Sequence, residues 1–141
     1  MNERRRAGLI LLASLALGMP GVAAADPLPL VPLPASVVPA KGSFTLGPDV
    51  RIGTEPGDRG AASAARLLAV QLKAVRGFAP VQVNGKAAVR FVRDRRIRGK
   101  EAYRLTVDAS GVTIAASGDA GLVWGAMTLG QLASPDGRFG Q

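Results

Sequence analysis

The chain has 141 residues, with 18 Lys and Arg against 10 Asp and Glu for a net charge of +8, and it contains neither His nor Cys. That length holds one domain with a tail, and 48% hydrophobic residues is the composition of a packed core rather than a disordered basic segment. The missing residue types exclude a Ser-His-Asp triad, a cysteine nucleophile, a disulfide and an ordinary zinc site built from this chain, and no cofactor is expected.

The first 25 residues read as an export signal. Arg4, Arg5 and Arg6 form a positive start, and Leu9 to Leu17 is an apolar run. Pro20-Gly21 then precedes Ala23-Ala24-Ala25, which suits signal peptidase, so cleavage is expected between Ala25 and Asp26. The apolar run is too short to span a bilayer, which takes about 20 residues as a helix. No stable membrane anchor is therefore expected after cleavage, and the location is periplasmic or extracellular. Removing the signal leaves a mature chain of 116 residues with net charge +6.

Residues 26–36 form an extended lead-in, because Pro27, Pro29, Pro32 and Pro34 fix their own φ and bias their neighbours toward extended geometry. A domain is expected over residues 37–133. Val37-Val38 offers a short edge strand, and Ser43–Leu46 and Val50–Ile52 offer two more around the turn Gly47-Pro48-Asp49. Asp58 can cap a helix that Gly77 ends, with Ala61, Ala65, Leu68, Leu72 and Val75 on an apolar stripe. Arg59, Ser63, Arg66, Lys73 and Arg76 fall largely on its other side.

Strands follow at Val81–Val83, Val89–Arg93, Ala102–Asp108 and Val112–Ala116. Strict alternation puts Tyr103, Leu105 and Val107 on one face, and the loop Asp108 to Gly111 closes an antiparallel hairpin. A second helix spans Asp119–Leu132, capped by Ser117 or Asp119. The element order predicts an α+β fold, a largely antiparallel sheet with two helices packed on one face.

That second helix is apolar on nearly all sides and carries Gly121, Gly125 and Gly130. Interior glycines cost about 1 kcal/mol each relative to Ala, so they make sense where another backbone comes very close. A helix apolar all round needs cover all round. Leu122, Trp124, Gly125, Thr128, Leu129 and Leu132 are therefore the expected interface between this domain and a following one.

No catalytic, cofactor-binding or metal-binding residue is assigned. The carboxylates are scattered, and each has a ready role as turn former, cap or ion-pair partner. Arg90 to Arg104 form a basic stretch interrupted by Asp94 and Glu101, read as a solvated loop. With aromatics at 4% there is no stacking platform for nucleic acid, and Gly-rich phosphate loops are absent. Trp124 and Tyr103 read as core aromatics.

Two passages resemble a known family. Leu30-Val31-Pro32-Leu33-Pro34 with Lys41-Gly42-Ser43-Phe44-Thr45-Leu46 is similar to the opening of bacterial β-N-acetylhexosaminidases of glycoside hydrolase family 20. Glu101 to Val107, Gly111 to Ile114 and Ala120 to Leu132 (AGLVWGAMTLGQL) resemble the passage that closes their N-terminal domain. The resemblance implies a non-catalytic α+β domain beside a TIM barrel carrying an Asp-Glu pair, which cleaves terminal N-acetyl-β-hexosaminides with help from the substrate's acetamido group. The family's catalytic passage contains His, so no catalytic residue carries over to this chain. Residues 134–141 then read as the start of a linker toward that barrel, and N-acetylhexosamine-containing glycans as ligands of the parent enzyme. Two other expectations stay open: a stand-alone envelope carbohydrate-binding module, or the equivalent domain of another barrel glycosidase.

Overall fold

The computed structural model describes residues 30, 34–38, 43–133 and, for the backbone, 138–139. The expected signal, its cleavage point at Ala25 and Asp26 and most of the Pro-rich lead-in lie outside the described residues. In chain order the elements are β1 (Phe44–Thr45), β2 (Arg51–Thr54), α1 (Arg59–Arg76), β3 (Val81–Asn84), β4 (Val89–Arg93), β5 (Tyr103–Asp108), β6 (Gly111–Ala116), α2 (Asp119–Leu132) and β7 (Arg138–Phe139). The fold is α+β, as expected. Val37 and Val38 form no strand and are exposed.

Five strands form one sheet in the order β3-β2-β4-β6-β5. The expectation of a largely antiparallel sheet is corrected here: β2 runs parallel to β3 and to β4, and β4 parallel to β6. Only the β5–β6 hairpin is antiparallel, with Leu105 opposite Ile114 and Asp108 opposite Gly111. The alternating strand pattern misled because one face of this sheet is open. Parallel strands show a continuous apolar run only when both faces are covered.

The helices cover the other face. Ile52, Val89, Phe91, Val112, Ile114 and Ala116 form the sheet side of one core, closed by Ala61, Ala64, Ala65, Leu68 and Leu72 of α1 and by Leu122, Ala126 and Leu129 of α2. Val75, expected in the α1 stripe, is exposed, and Ala64 and Ala69 are buried in addition. Asp58 accepts a hydrogen bond from the Ala61 amide at 2.9 Å, and Gly77 ends α1 in the left-handed region with φ 77°. On the open face, Arg90 Nε donates to Thr113 Oγ1 across the β4–β6 pair at 3.1 Å.

The join between β3 and β4 is unusual. These strands are both parallel to β2 and flank it, so the chain must cross β2 and return to its starting level. Such a crossover ordinarily takes a dozen residues or more. Here Gly85 to Ala88 suffice, because β2 pairs with β4 through only two residues, Ile52 and Gly53. The segment lies directly on Gly53: a Cβ there would collide with the Gly85 carbonyl oxygen and sit 3.0 Å from the Ala87 Cβ. Gly85 itself has φ 88°, and its amide donates to Thr54 O at 2.8 Å.

Residues 134–141 were expected to begin a linker. Within them, Arg138 and Phe139 form β7, which pairs antiparallel with β1 so that Phe139 lies opposite Phe44. A two-residue ladder carries no hydrophobic period, so the sequence offers no signal for it.

The helix layer and its charged junction

α2 reaches the sheet through its glycines. A Cβ on Gly121 would strike the Ala102 carbonyl oxygen and come within 2.8 Å of the Ala116 Cβ. On Gly125 it would stand 2.5 Å from Ile114 Cγ2 and 3.3 Å from the Tyr103 ring. Gly130 plays the same part toward α1, where a Cβ would stand 2.5 Å from Gln71 Oε1. Gly118, rather than Ser117 or Asp119, is the N-cap of α2 and offers no side-chain bond. The Lys100 carbonyl oxygen would be 2.6 Å from a Cβ at that position, which leaves no room for a capping side chain.

These contacts sort the six expected interface residues. Leu122, Gly125 and Leu129 are buried within the domain and cannot meet a partner. Thr128 and Leu132 are half-buried, and Trp124, expected in the core, is 41% exposed. Helical spacing places Ala120, Val123, Met127, Thr128 and Gln131 around Trp124, so the outward face is apolar but for one hydroxyl, which Tyr103 engages, and one amide. Val123 and Met127, which were not among the six expected residues, are half-buried beside Trp124. With apolar residues all round the helix, no period marks which side the sheet takes, and only the glycine positions point to it.

Tyr103, half-buried on β5, hydrogen-bonds Thr128 through its hydroxyl at 2.6 Å. This bond ties the edge strand to α2. Tyr103→Phe is expected to cost about 1 kcal/mol, the usual net worth of one such bond, readable as a lower urea midpoint.

At the other end of the helix layer Arg93, the last residue of β4, grips both helix starts. Its Nε and Nη2 donate to the Asp58 carboxylate at 2.7 and 2.8 Å, its Nη2 also bonds Asp119, and its Nη1 donates to Ser117 O at 3.3 Å. The Arg93 guanidinium lowers the Asp58 carboxyl to about 2, against burial, and the Ala61 amide assists. Hydrogen bonding to Asp58 likewise raises Arg93, with Asp119 contributing. Gly60 makes this possible, since a Cβ there would overlap the Asp119 carboxylate and stand 2.6 Å from Arg93 Nη2.

The remaining carboxylates with resolved partners are structural too. Asp94 accepts from the Arg96 side chain and amide, which lower its pKa, and Asp108 is lowered by Ser110 in the hairpin turn. Among the described residues no cluster of three or more acidic groups is arranged to hold a metal ion.

The comparisons agree with that architecture. The family model described as glycosyl hydrolase family 20, domain 2, matches residues 28–140. Among solved structures, the chain is similar to the Streptomyces plicatus N-acetyl-beta-hexosaminidase at 32% identity and a TM-score of 0.70, covering 79% of this chain and 22% of that one. The Streptomyces coelicolor GH20 beta-N-acetylhexosaminidase is 34% identical with a TM-score of 0.65, over 73% of this chain and 21% of that one. A Vibrio harveyi GH20 exo beta-N-acetylglucosaminidase shares the fold at 23% identity and a TM-score of 0.68, over 76% and 16% of the two chains. No curated protein matches. The chain thus spans about a fifth of the length of its solved relatives, and it belongs to the family of glycosyl hydrolase family 20, domain 2.

Proposed function

We propose that this chain is the accessory domain of an exported exo-β-N-acetylhexosaminidase and supports a catalytic unit that lies outside residues 1–141. The observation that carries the reading is the family match over residues 28–140, joined to about a fifth of enzymes named as N-acetyl-beta-hexosaminidases. The parent enzyme removes terminal N-acetyl-β-hexosamines by the substrate-assisted, retaining route of its family. The signal-like residues 1–25 carry the chain out of the cytoplasm.

The catalytic unit packs on the outward face of α2, with Trp124 as its anchor and Val123 and Met127 beside it. A large aromatic left half-exposed on an otherwise apolar helix face is the kind of group that interfaces use. Asp58, Asp94 and Asp119 are each held by an arginine, which suits structural rather than acid–base roles for these three.

The purified chain is therefore expected to release no nitrophenol from p-nitrophenyl N-acetyl-β-glucosaminide. Turnover that co-purifies with the chain and persists in a homogeneous preparation would overturn this. Calorimetric titration with N-acetylglucosamine oligomers separates the stand-alone module, for which saturable binding is the signature.

A further inference from the structure

The outward side of α1 has a feature the accessory role does not use. Arg59, Arg66 and Lys73 recur every seven residues, with Ser63 and Val70 between them, and all five are exposed. Seven residues advance a helix by about 10.5 Å, so three cations stand in line over about 21 Å. The whole of α1 contains no acidic residue. Among the described residues none of the three cations has a carboxylate partner, and Arg66 is steadied only by a bond to Ser63 Oγ at 2.9 Å. The β4–β5 loop differs, since Asp94 engages Arg96 and lies 4.0 Å from Arg104.

We propose that the Arg59–Arg66–Lys73 stripe is a binding site for a linear acidic polysaccharide, lying along α1 with its anionic groups against the three cations. A straight row of evenly spaced, unneutralised charges suits a repeating linear polyanion better than a single small anion, which would engage one of them. A membrane surface fits less well. Interfacial helices insert a broad apolar face, and that face of α1 is buried in the core, leaving of its large apolar side chains only Val70 and Val75 exposed. Nucleic acid fits less well because no aromatic residue interrupts the stripe for a base to stack on. The choice of a glycan rests on the exported location in the reading above; the charge geometry does not.

The test uses the purified chain with heparin and alginate as probes, followed by the fluorescence of Trp124, the single tryptophan, and by retention on a heparin column. Binding to both is expected, weakening steeply with salt as bound counterions are released. Each of Arg59→Gln, Arg66→Gln and Lys73→Gln should weaken it about fivefold and flatten the salt dependence, as loss of one surface cation does. Arg51→Gln, exposed at the start of β2, should leave binding unchanged, and circular dichroism confirms that every variant is folded. No binding at low salt overturns the proposal, as does binding that the three α1 variants do not weaken. Binding to polyphosphate or to phosphatidylglycerol vesicles without binding to either glycan also overturns it. A chain that binds no glycan leaves the accessory role standing, because that role is read from hydrolysis and oligomer titration.

Discussion

Gly53→Val should destabilise this domain by about 3 kcal/mol or stop it folding, the upper end of what forced overpacking costs. The obstacle is backbone: a Cβ at this position overlaps the Gly85 carbonyl oxygen and crowds the Ala87 amide nitrogen at 3.2 Å. No side-chain rotation relieves that. Relief requires lifting the Gly85–Ala88 crossover off β2, which breaks the hydrogen bond from the Gly85 amide to Thr54 O and disturbs the register of β4. For a domain of this size the loss corresponds to a melting temperature lower by roughly 15 °C. Gly47→Ala is the matched control, because nothing lies within 4 Å of a Cβ there, and it should stay within about 0.5 kcal/mol. Equal melting of the two variants would show that the crossover does not rest on Gly53.

Arg93→Met is expected to cost about 2 kcal/mol at neutral pH and to change how stability depends on acid. The arginine holds Asp58 at about 2 against a usual 3.8. A carboxyl depressed on folding stabilises fully above its unfolded pKa, and the contribution disappears as pH falls through the folded value. The gap between native chain and variant should therefore be constant above about pH 5 and close progressively toward about pH 2. Urea titrations at a series of pH values read it directly. Two curves that stay parallel down to pH 2 would mean that Arg93 acts by packing rather than by charge. The α1 cap itself should survive, since the Ala61 amide still bonds Asp58.

Much of this architecture was legible, for local reasons. Asp58 and Gly77 mark the ends of α1 because capping chemistry needs only neighbouring residues. The β5–β6 hairpin was legible because its loop is short and its alternation strict, and Tyr103, Leu105 and Val107 do share the half-buried face. The strand order was not, because parallel pairing of β2 with β4 joins residues far apart in sequence, and the four-residue crossover from β3 to β4 leaves no helix between those two strands to announce that they run the same way. The glycines of α2 signalled a close approach without saying to what; the sheet claims Gly121 and Gly125, and α1 claims Gly130. Arg93 looked like one more member of a basic stretch. Its partners lie 35 residues before it and 26 after it, beyond the reach of any local pattern.

The Arg93 junction also fixes the relative sense of the helices. Both begin at one arginine, and Gln71 of α1 lies beside Gly130 of α2 near their far ends, so the two axes run in the same direction. Their macrodipoles lie side by side, and the two positive ends, each worth about half a charge, meet at the same place. Left alone they repel. Two carboxylates and one guanidinium add up to about one negative charge, which matches the roughly one positive charge of the paired helix ends. That balance explains why a single arginine is shared between two aspartates instead of each having its own. A second cation here would restore the repulsion that the acids remove.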